Sequence, residues 1–156
     1  MKDLPKLIVS VIGCEVVGFL GTPFTLSAIP TWYATLNKPF FAPPNWIFGP
    51  VWTLLYLLMG VAFYQIWKQG WNKKMVRTAG VYFLAQLTLN FIWSPIFFGL
   101  RAPLLGLIVI VMMWTLIVIT MKKLYPLSKL AFYLLVPYLL WVSFATLLNG
   151  ALVVLN

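Results

Sequence analysis

The side chains best suited to bind a ligand lie on three apolar stretches, at spacings that place each set on one face of a helix. The three sets are Gln86, Asn90, Trp93 and Phe97; Trp141, Ala145, Leu148 and Asn149; and Trp52, Tyr56 and Gly60. Their members are separated by three or four residues, which is the repeat of an α-helical face. Aromatic faces with a few hydrogen-bonding groups are the usual make-up of a small-molecule site. The alternative is that these side chains only hold neighbouring helices together.

The residues that most enzymes use are nearly absent. The chain has no histidine, one cysteine (Cys14) and two acidic residues, Asp3 and Glu15. Catalysis of the Ser-His or Cys-His kind is therefore excluded, as are disulfide frameworks and zinc sites. No metal site and no required cofactor are expected.

Glu15 is the one acidic residue inside an apolar stretch. It is expected either to be protonated or to face a polar crevice, since no basic residue within the stretches can neutralise it. A proton-relay or transport role is one interpretation. The neighbouring Gly18, Gly21 and Thr22 indicate close helix packing as the other.

The composition is that of a membrane protein. Of 156 residues, 63% are hydrophobic and 8% are charged, whereas soluble domains carry about 25% charged residues. The net charge of +9 would suggest nucleic acid in a soluble protein. Because the basic residues lie between apolar runs, a lipid bilayer is the expected partner and nucleic acid is not.

Charges and prolines divide the sequence into five apolar segments. They cover residues 7–29, 44–67, 79–100, 102–121 and 130–155. Each has about 20 residues or more, enough to cross about 30 Å of hydrocarbon. The sequence therefore predicts one all-α domain over residues 1–156, a polytopic bundle of five transmembrane helices. Pro95 and Pro137 lie inside two segments and are expected to kink them.

The basic residues predict how the bundle is oriented. One side has nine of them: Lys2, Lys6, Lys68, Lys73, Lys74, Arg77, Lys122, Lys123 and Lys129. The opposite side has Lys38 and Arg101. Since cytoplasmic loops are enriched in Lys and Arg, the amino terminus is expected in the cytoplasm and the carboxyl terminus outside, in a bacterial plasma membrane.

Three of the polar and aromatic side chains are expected at similar depth. Counted at about 1.5 Å per residue from the predicted outer helix ends, Trp52 lies about 12 Å deep, Asn90 about 15 Å and Trp141 about 21 Å. Such depths exceed those of an interfacial aromatic belt and predict a cavity between the helices.

The first loop, residues 30–43, is predicted to fold back over the outer mouth of this cavity as a lid. Together with the start of the next segment it contains four prolines and five aromatic residues, which are costly to leave in water. Its lid candidates are Trp32, Pro39, Pro43 and Pro44. An interfacial belt of aromatic residues is the alternative interpretation.

Several short runs resemble the TspO/translocator-protein family, the tryptophan-rich sensory proteins. They are Trp32-Tyr33, Leu36-Asn37-Lys38-Pro39, PPNWIFGPVWTLLY at 43–56, LNFIWS at 89–94, FFG at 97–99, PYLLW at 137–141, ATLLN at 145–149 and LN at 155–156. The runs extend from the first loop to the last residue, whereas the first and fourth segments match only in character.

The resemblance implies a five-helix bundle, often a homodimer, that binds tetrapyrroles such as protoporphyrin and haem, sterols and benzodiazepine-type drugs. By position, the two pocket tryptophans of the family correspond to Trp52 and Trp141 and its pocket amide to Asn90. Further lining positions correspond to Tyr33, Tyr56, Trp93, Ala145 and Leu148. Some bacterial members are reported to promote light-dependent porphyrin breakdown, which would give Trp52 and Trp141 a chemical role.

The sequence leaves three functions open. The first is a receptor or carrier in which a tetrapyrrole stacks on Trp52, Trp93 and Trp141, with Asn90 and the indole N–H groups at its polar edges. The second is photo-oxidation of that porphyrin, and the third is sterol, lipid or proton-coupled transport through Glu15. Residues 145–154 lack the tyrosine and basic residue of the cholesterol-recognition stretch in animal members, which lowers the expectation of tight sterol binding.

Overall fold

The computed structural model describes residues 2–156, and this part of the chain is helical with no strand. The α-helices are α1 (Leu4–Ala28), α2 (Phe48–Trp67), α3 (Lys74–Ser94), α4 (Pro103–Leu124), α5 (Lys129–Leu134) and α6 (Val136–Leu155). Short 3-10 turns at Tyr33–Thr35 and Asn45–Ile47 shape the first loop, and a π-helical turn at Pro95–Gly99 extends α3.

Within residues 2–156, five helical segments are long and apolar enough to cross a membrane. They are Leu4–Ala28, Asn45–Trp67, Lys74–Gly99, Pro103–Leu124 and Lys129–Leu155, with mean hydropathy between 1.4 and 2.7. The predicted all-α fold with five membrane-spanning helices is confirmed, and the chain is a multi-pass membrane protein.

Several helices extend beyond the predicted segments. The third begins at Lys74 rather than at residue 79, and α4 continues through Lys122 and Lys123 to Leu124. Basic residues are good helix formers whose long stems let the charge reach water. Cations are also favourable in the last turn of a helix. The charged residues at these positions therefore do not mark the helix ends.

Two prolines change the helices near the candidate site. Pro95 begins the π-helical turn, which closes with a hydrogen bond from Leu100 N–H to the Pro95 carbonyl (2.9 Å). The expected kink at Pro137 takes the form of a break at Leu135, between α5 and α6. Proline has no N–H to continue the preceding turn, so the helix restarts with Pro137 in its first turn.

Glycines allow α1 and α2 to pack closely against each other. A Cβ on Gly60 would lie 2.5 Å from the Cα of Val11, and one on Gly18 would lie 2.3 Å from the Tyr56 ring. Small residues at such crossings are typical of membrane bundles. Gly60 does not line the cavity described below, whereas Gly18 and Tyr56 do.

Candidate ligand-binding site

A cavity of about 570 Å³ lies between α1, α2, α3 and α6, under the first loop. This volume is within the range of about 300–1,000 Å³ that is usual for small-molecule sites. All ten residues that the sequence analysis named as ligand-binding candidates line it: Tyr33, Trp52, Tyr56, Asn90, Trp93, Phe97, Trp141, Ala145, Leu148 and Asn149.

Aromatic rings form much of the cavity wall. The Trp52 ring lies 5.6 Å from that of Tyr56 at an angle of 31°. On the α6 side, the edge of Phe48 meets Trp141 at 6.0 Å and 71°. Trp52 and Trp141 are both half-buried, so part of each indole remains uncovered by protein, as contact with a ligand requires.

A buried hydrogen-bond chain fixes the floor of the cavity. The Tyr56 hydroxyl donates to Asn90 Oδ1, Asn90 Nδ2 donates to the Tyr138 hydroxyl (2.8 Å), and that hydroxyl donates to Gln86 Oε1 (2.7 Å). Tyr138 and Gln86 are fully buried. In an apolar interior such bonds hold side chains in place, because an unpaired polar group is costly. Asn90 therefore ties α2, α3 and α6 together and keeps one N–H for a ligand.

Tyr138 does not line the cavity but supports it through Asn90, a role that its position in the sequence did not indicate. The spacing of Tyr138, Trp141 and Ala145 is three and four residues, so Tyr138 continues the helical face that Trp141 begins. That periodicity was a usable signal. It did not reveal that the hydroxyl would pair with Asn90, since pairing depends on how α3 and α6 are rotated.

The polar groups of Trp93 and Asn149 are used within the protein. Trp93 Nε1 donates to Asn149 Oδ1 (3.2 Å), and Asn149 Nδ2 donates to the carbonyl of Pro103 (2.8 Å). The Trp93 ring also stacks on Phe97, with ring centres 4.8 Å apart and 16° between the planes. Trp93 and Asn149 thus present apolar surface to the cavity and connect α3, α4 and α6.

The indole N–H of Trp141 has no such partner. Its Nε1 is buried and makes no hydrogen bond within residues 2–156. A buried donor without an acceptor costs about 1–3 kcal/mol. The Tyr33 hydroxyl, also in the cavity lining, is likewise buried without a partner within residues 2–156. Hydrogen bonds to a bound molecule would remove these costs, which makes Trp141 Nε1 and the Tyr33 hydroxyl candidate polar anchors.

The α1 side of the cavity contains residues that the sequence had not singled out for binding. The Thr25 hydroxyl lies 2.9 Å from that of Ser94, and the Ser94 hydroxyl lies 3.1 Å from the carbonyl of Gly21. These bonds join α1 to the end of α3. Glu15, half-buried on α1, also lines the cavity. Hydroxyl groups that bond to the backbone or to each other produce no helical repeat in the sequence. The contact between α1 and the end of α3 was therefore not predictable from spacing.

The first loop covers the cavity with aromatic side chains. Tyr33 is buried and packs edge-on against Phe98, with ring centres 6.0 Å apart, while Trp32 packs edge-on against Phe97 at 5.6 Å. Burial raises the pKa of the Tyr33 phenol, so it is neutral at physiological pH. The ammonium of Lys38 lies 4.8 Å from the Tyr33 ring centre and adds a cation–π contact.

The loop is also fastened to the far end of the chain. Asn37 N–H donates to Asn156 Oδ1, and Asn156 Nδ2 donates to the Asn37 carbonyl, both at 2.9 Å. Of the lid candidates, Trp32, Pro39 and Pro43 are half-buried and Pro44 is exposed, and none of the four lines the cavity. They shape the loop, and Tyr33 is the loop residue that reaches the ligand space.

Few side chains of the types that ligate metal ions or haem iron line the cavity. Among residues 2–156, no three His, Cys, Asp or Glu side chains lie close enough to hold a metal ion. Met113, Tyr33 and Tyr56 are in the lining and carry a thioether or a phenol. Tyr56 is already committed to Asn90.

Comparison with known proteins gives consistent matches along nearly the whole chain. The TspO/MBR family model matches residues 10–155. The chain is 47% identical to the tryptophan-rich protein TspO of Archaeoglobus fulgidus over 155 residues, 99% of both chains. It is 41% identical to the translocator protein of Homo sapiens over 140 residues, 88% of this chain and 80% of the relative. With the tryptophan-rich sensory protein of Cereibacter sphaeroides it shares 36% over 140 residues, 87% of this chain and 85% of the relative.

Proposed function

Because this chain belongs to the TspO/MBR family, we propose that it binds tetrapyrroles, such as protoporphyrin and haem, and other planar hydrophobic molecules in its intramembrane cavity. Family membership supports a membrane receptor or transporter role. The observation that carries the finer proposal is the pair of half-buried indoles, Trp52 and Trp141, in a cavity of about 570 Å³.

The cavity suits a flat, largely apolar molecule with a polar edge. Its aromatic walls offer faces and edges on which a macrocycle can stack. Trp141 Nε1, which has no partner, would donate to an acceptor at the ligand's edge, and the remaining N–H of Asn90 would supply a second donor. Trp93, in contrast, contributes only its ring.

The proposal also states which way the protein is oriented and which membrane it occupies. With nine basic residues on one side and two on the other, the cavity end of the bundle would face the outside of a bacterial plasma membrane. Assembly as a homodimer, which the family resemblance implies, belongs to the same proposal.

Metal-free porphyrin is expected to bind at least as tightly as haem. Since the chain has no histidine, iron would gain no strong axial ligand, and stacking would dominate the affinity for both molecules. Equilibrium titration of the purified protein with protoporphyrin and with haem measures the two Kd values. A Kd for haem that is about tenfold lower or more, equivalent to about 1.4 kcal/mol, would contradict this prediction.

Light-dependent oxidation of the bound porphyrin is a second part of the proposal. Excited porphyrin passes energy or an electron to dissolved dioxygen, which is the oxidant, and electron-rich indoles beside it would trap or relay the resulting radicals without acid-base machinery. Replacing Trp52 and Trp141 by phenylalanine keeps a stacking ring but removes the indole. The product profile after illumination of bound protoporphyrin is expected to change in these variants, and an unchanged profile would leave binding as the whole function.

Transport of a sterol, a lipid or another small molecule with coupled protons is the alternative, and it is favoured by Glu15 in the cavity wall. Under this alternative, Glu15→Gln abolishes uptake into proteoliposomes without weakening binding, because the amide keeps the shape but carries no exchangeable charge. Uptake and equilibrium binding are measured on the same preparation. Wild-type uptake by the variant would eliminate proton coupling through Glu15.

A further inference from the structure

The cavity is closed more firmly at its loop end than on its side between α1 and α2. At the loop end, Trp32 and Tyr33 pack on Phe97 and Phe98, and the paired amides of Asn37 and Asn156 hold the loop. Two aromatic contacts and two hydrogen bonds of 2.9 Å therefore fasten the first loop over this end of the cavity.

The side of the cavity between α1 and α2 is open in a way that the loop end is not. Phe19 and Leu26 of α1 and Trp46 in the turn before α2 line the cavity and are also 73%, 65% and 73% exposed. Gly49 and Thr53 of α2 line it and are exposed as well. Residues that both line a cavity and face outwards mark the place where it reaches the surface.

Among residues 2–156, no hydrogen bond joins α1 to α2 across this gap. The hydroxyl of Thr22 on α1 donates to its own helix at the Gly18 carbonyl (3.2 Å), and that of Thr53 donates to the Gly49 carbonyl (2.9 Å). On its other side, in contrast, α1 is joined to α3 through Thr25 and Ser94. The backbones of α1 and α2 meet closely at Val11 and Gly60, and the residues of both helices that line the cavity lie nearer the first loop.

We propose that ligands reach the cavity sideways from the bilayer, through a lateral gap bordered by Phe19, Thr22 and Leu26 on α1 and by Trp46, Gly49 and Thr53 on the α2 side. This inference rests on the proposed function for the identity of the probe. Lateral entry also narrows the class of ligand, because the ligand must first dissolve in the membrane leaflet next to the first loop. Trp46 stands at the rim of the gap, where an exposed indole favours the membrane interface.

Gly49 offers a way to block the gap without disturbing the fold. A Cβ added there meets no atom within 4 Å, so the ring of Gly49→Phe would stand in the opening. Gly13→Phe is the matched control, since Gly13 is also exposed, also has no atom within 4 Å of an added Cβ and does not line the cavity.

The test follows protoporphyrin transfer from phosphatidylcholine vesicles to the protein in proteoliposomes, by quenching of tryptophan fluorescence. Gly49→Phe is expected to slow association by about tenfold or more, while Gly13→Phe leaves the rate near that of wild type. Equal rates for the two variants would overturn the lateral gap.

Asn156→Ala tests the opposite route, because it releases the loop from its paired amides. The lateral gap predicts an unchanged association rate for this variant. A rate about tenfold higher would assign access to the loop end and overturn the inference.

A readout without porphyrin separates the inference from the proposed function. In the Cys14→Ser background, Ala145→Cys places a thiol in the cavity wall. A bilayer-dissolved apolar maleimide is expected to label it faster than a charged maleimide in water, and Gly49→Phe is expected to slow the apolar reagent. If the apolar reagent labels faster and Gly49→Phe slows it, but porphyrin does not bind, the gap is supported and the proposed function is refuted. If the charged reagent labels faster, the gap is refuted.

Discussion

Replacing both cavity indoles, in a Trp52→Ala, Trp141→Ala double variant, is expected to raise the Kd for protoporphyrin about a hundredfold. Each indole contributes about 1.5 kcal/mol of stacking, so the pair contributes about 3 kcal/mol. The loss of the unpartnered Trp141 donor adds to the effect. Equilibrium titration in detergent or nanodiscs, followed by porphyrin absorbance, measures it.

The control for this experiment is Trp114→Ala. Trp114 is also an indole that is partly exposed, but its Nε1 donates to Ser143 on α6 (2.8 Å) and it does not line the cavity. Its replacement is expected to leave the Kd unchanged. A double variant that binds as tightly as the Trp114 variant would contradict stacking on Trp52 and Trp141.

Gly60→Ala is expected to lower the free energy of unfolding by about 3 kcal/mol, the upper end of what overpacking usually costs. The added Cβ would lie 2.5 Å from Val11 Cα and 2.9 Å from Val11 N. Because these are backbone atoms, no side-chain rotation relieves the clash, and α1 must move away from α2. Thermal or denaturant unfolding of the purified protein measures the loss.

Gly13→Ala provides the matched control on the neighbouring helix. An added Cβ there meets nothing within 4 Å, and alanine is the better helix former. We expect this variant to be at least as stable as wild type. If Gly60→Ala unfolded at the same midpoint, the close crossing of α1 and α2 would be wrong.

The number of helices was predictable because each apolar run is as long as a membrane is thick. The positions of the helix ends were less predictable, as the start of α3 at Lys74 shows. There the charges end the apolar run, but the helix includes them because Lys and Arg are good helix formers. Hydropathy describes the surroundings of a segment, whereas helix ends depend on local backbone bonding.

The helical faces of the candidate site followed from spacing, and this is why Asn90, Trp93 and Trp141 come together in one cavity. What spacing could not predict is which polar atoms remain free. Trp93 Nε1 is used by Asn149, and Asn90 is largely used by Tyr56 and Tyr138. Such pairings depend on the rotation and depth of neighbouring helices, which no single stretch of sequence encodes.

A structure of the protein with bound porphyrin tests the central claim most directly, because it locates the macrocycle. The account predicts density between Trp52 and Trp141, beneath Tyr33, with an acceptor of the ligand near Trp141 Nε1. Density confined to the lipid-facing groove beside Leu107 and Gly150, with the space between the two indoles empty, would contradict it.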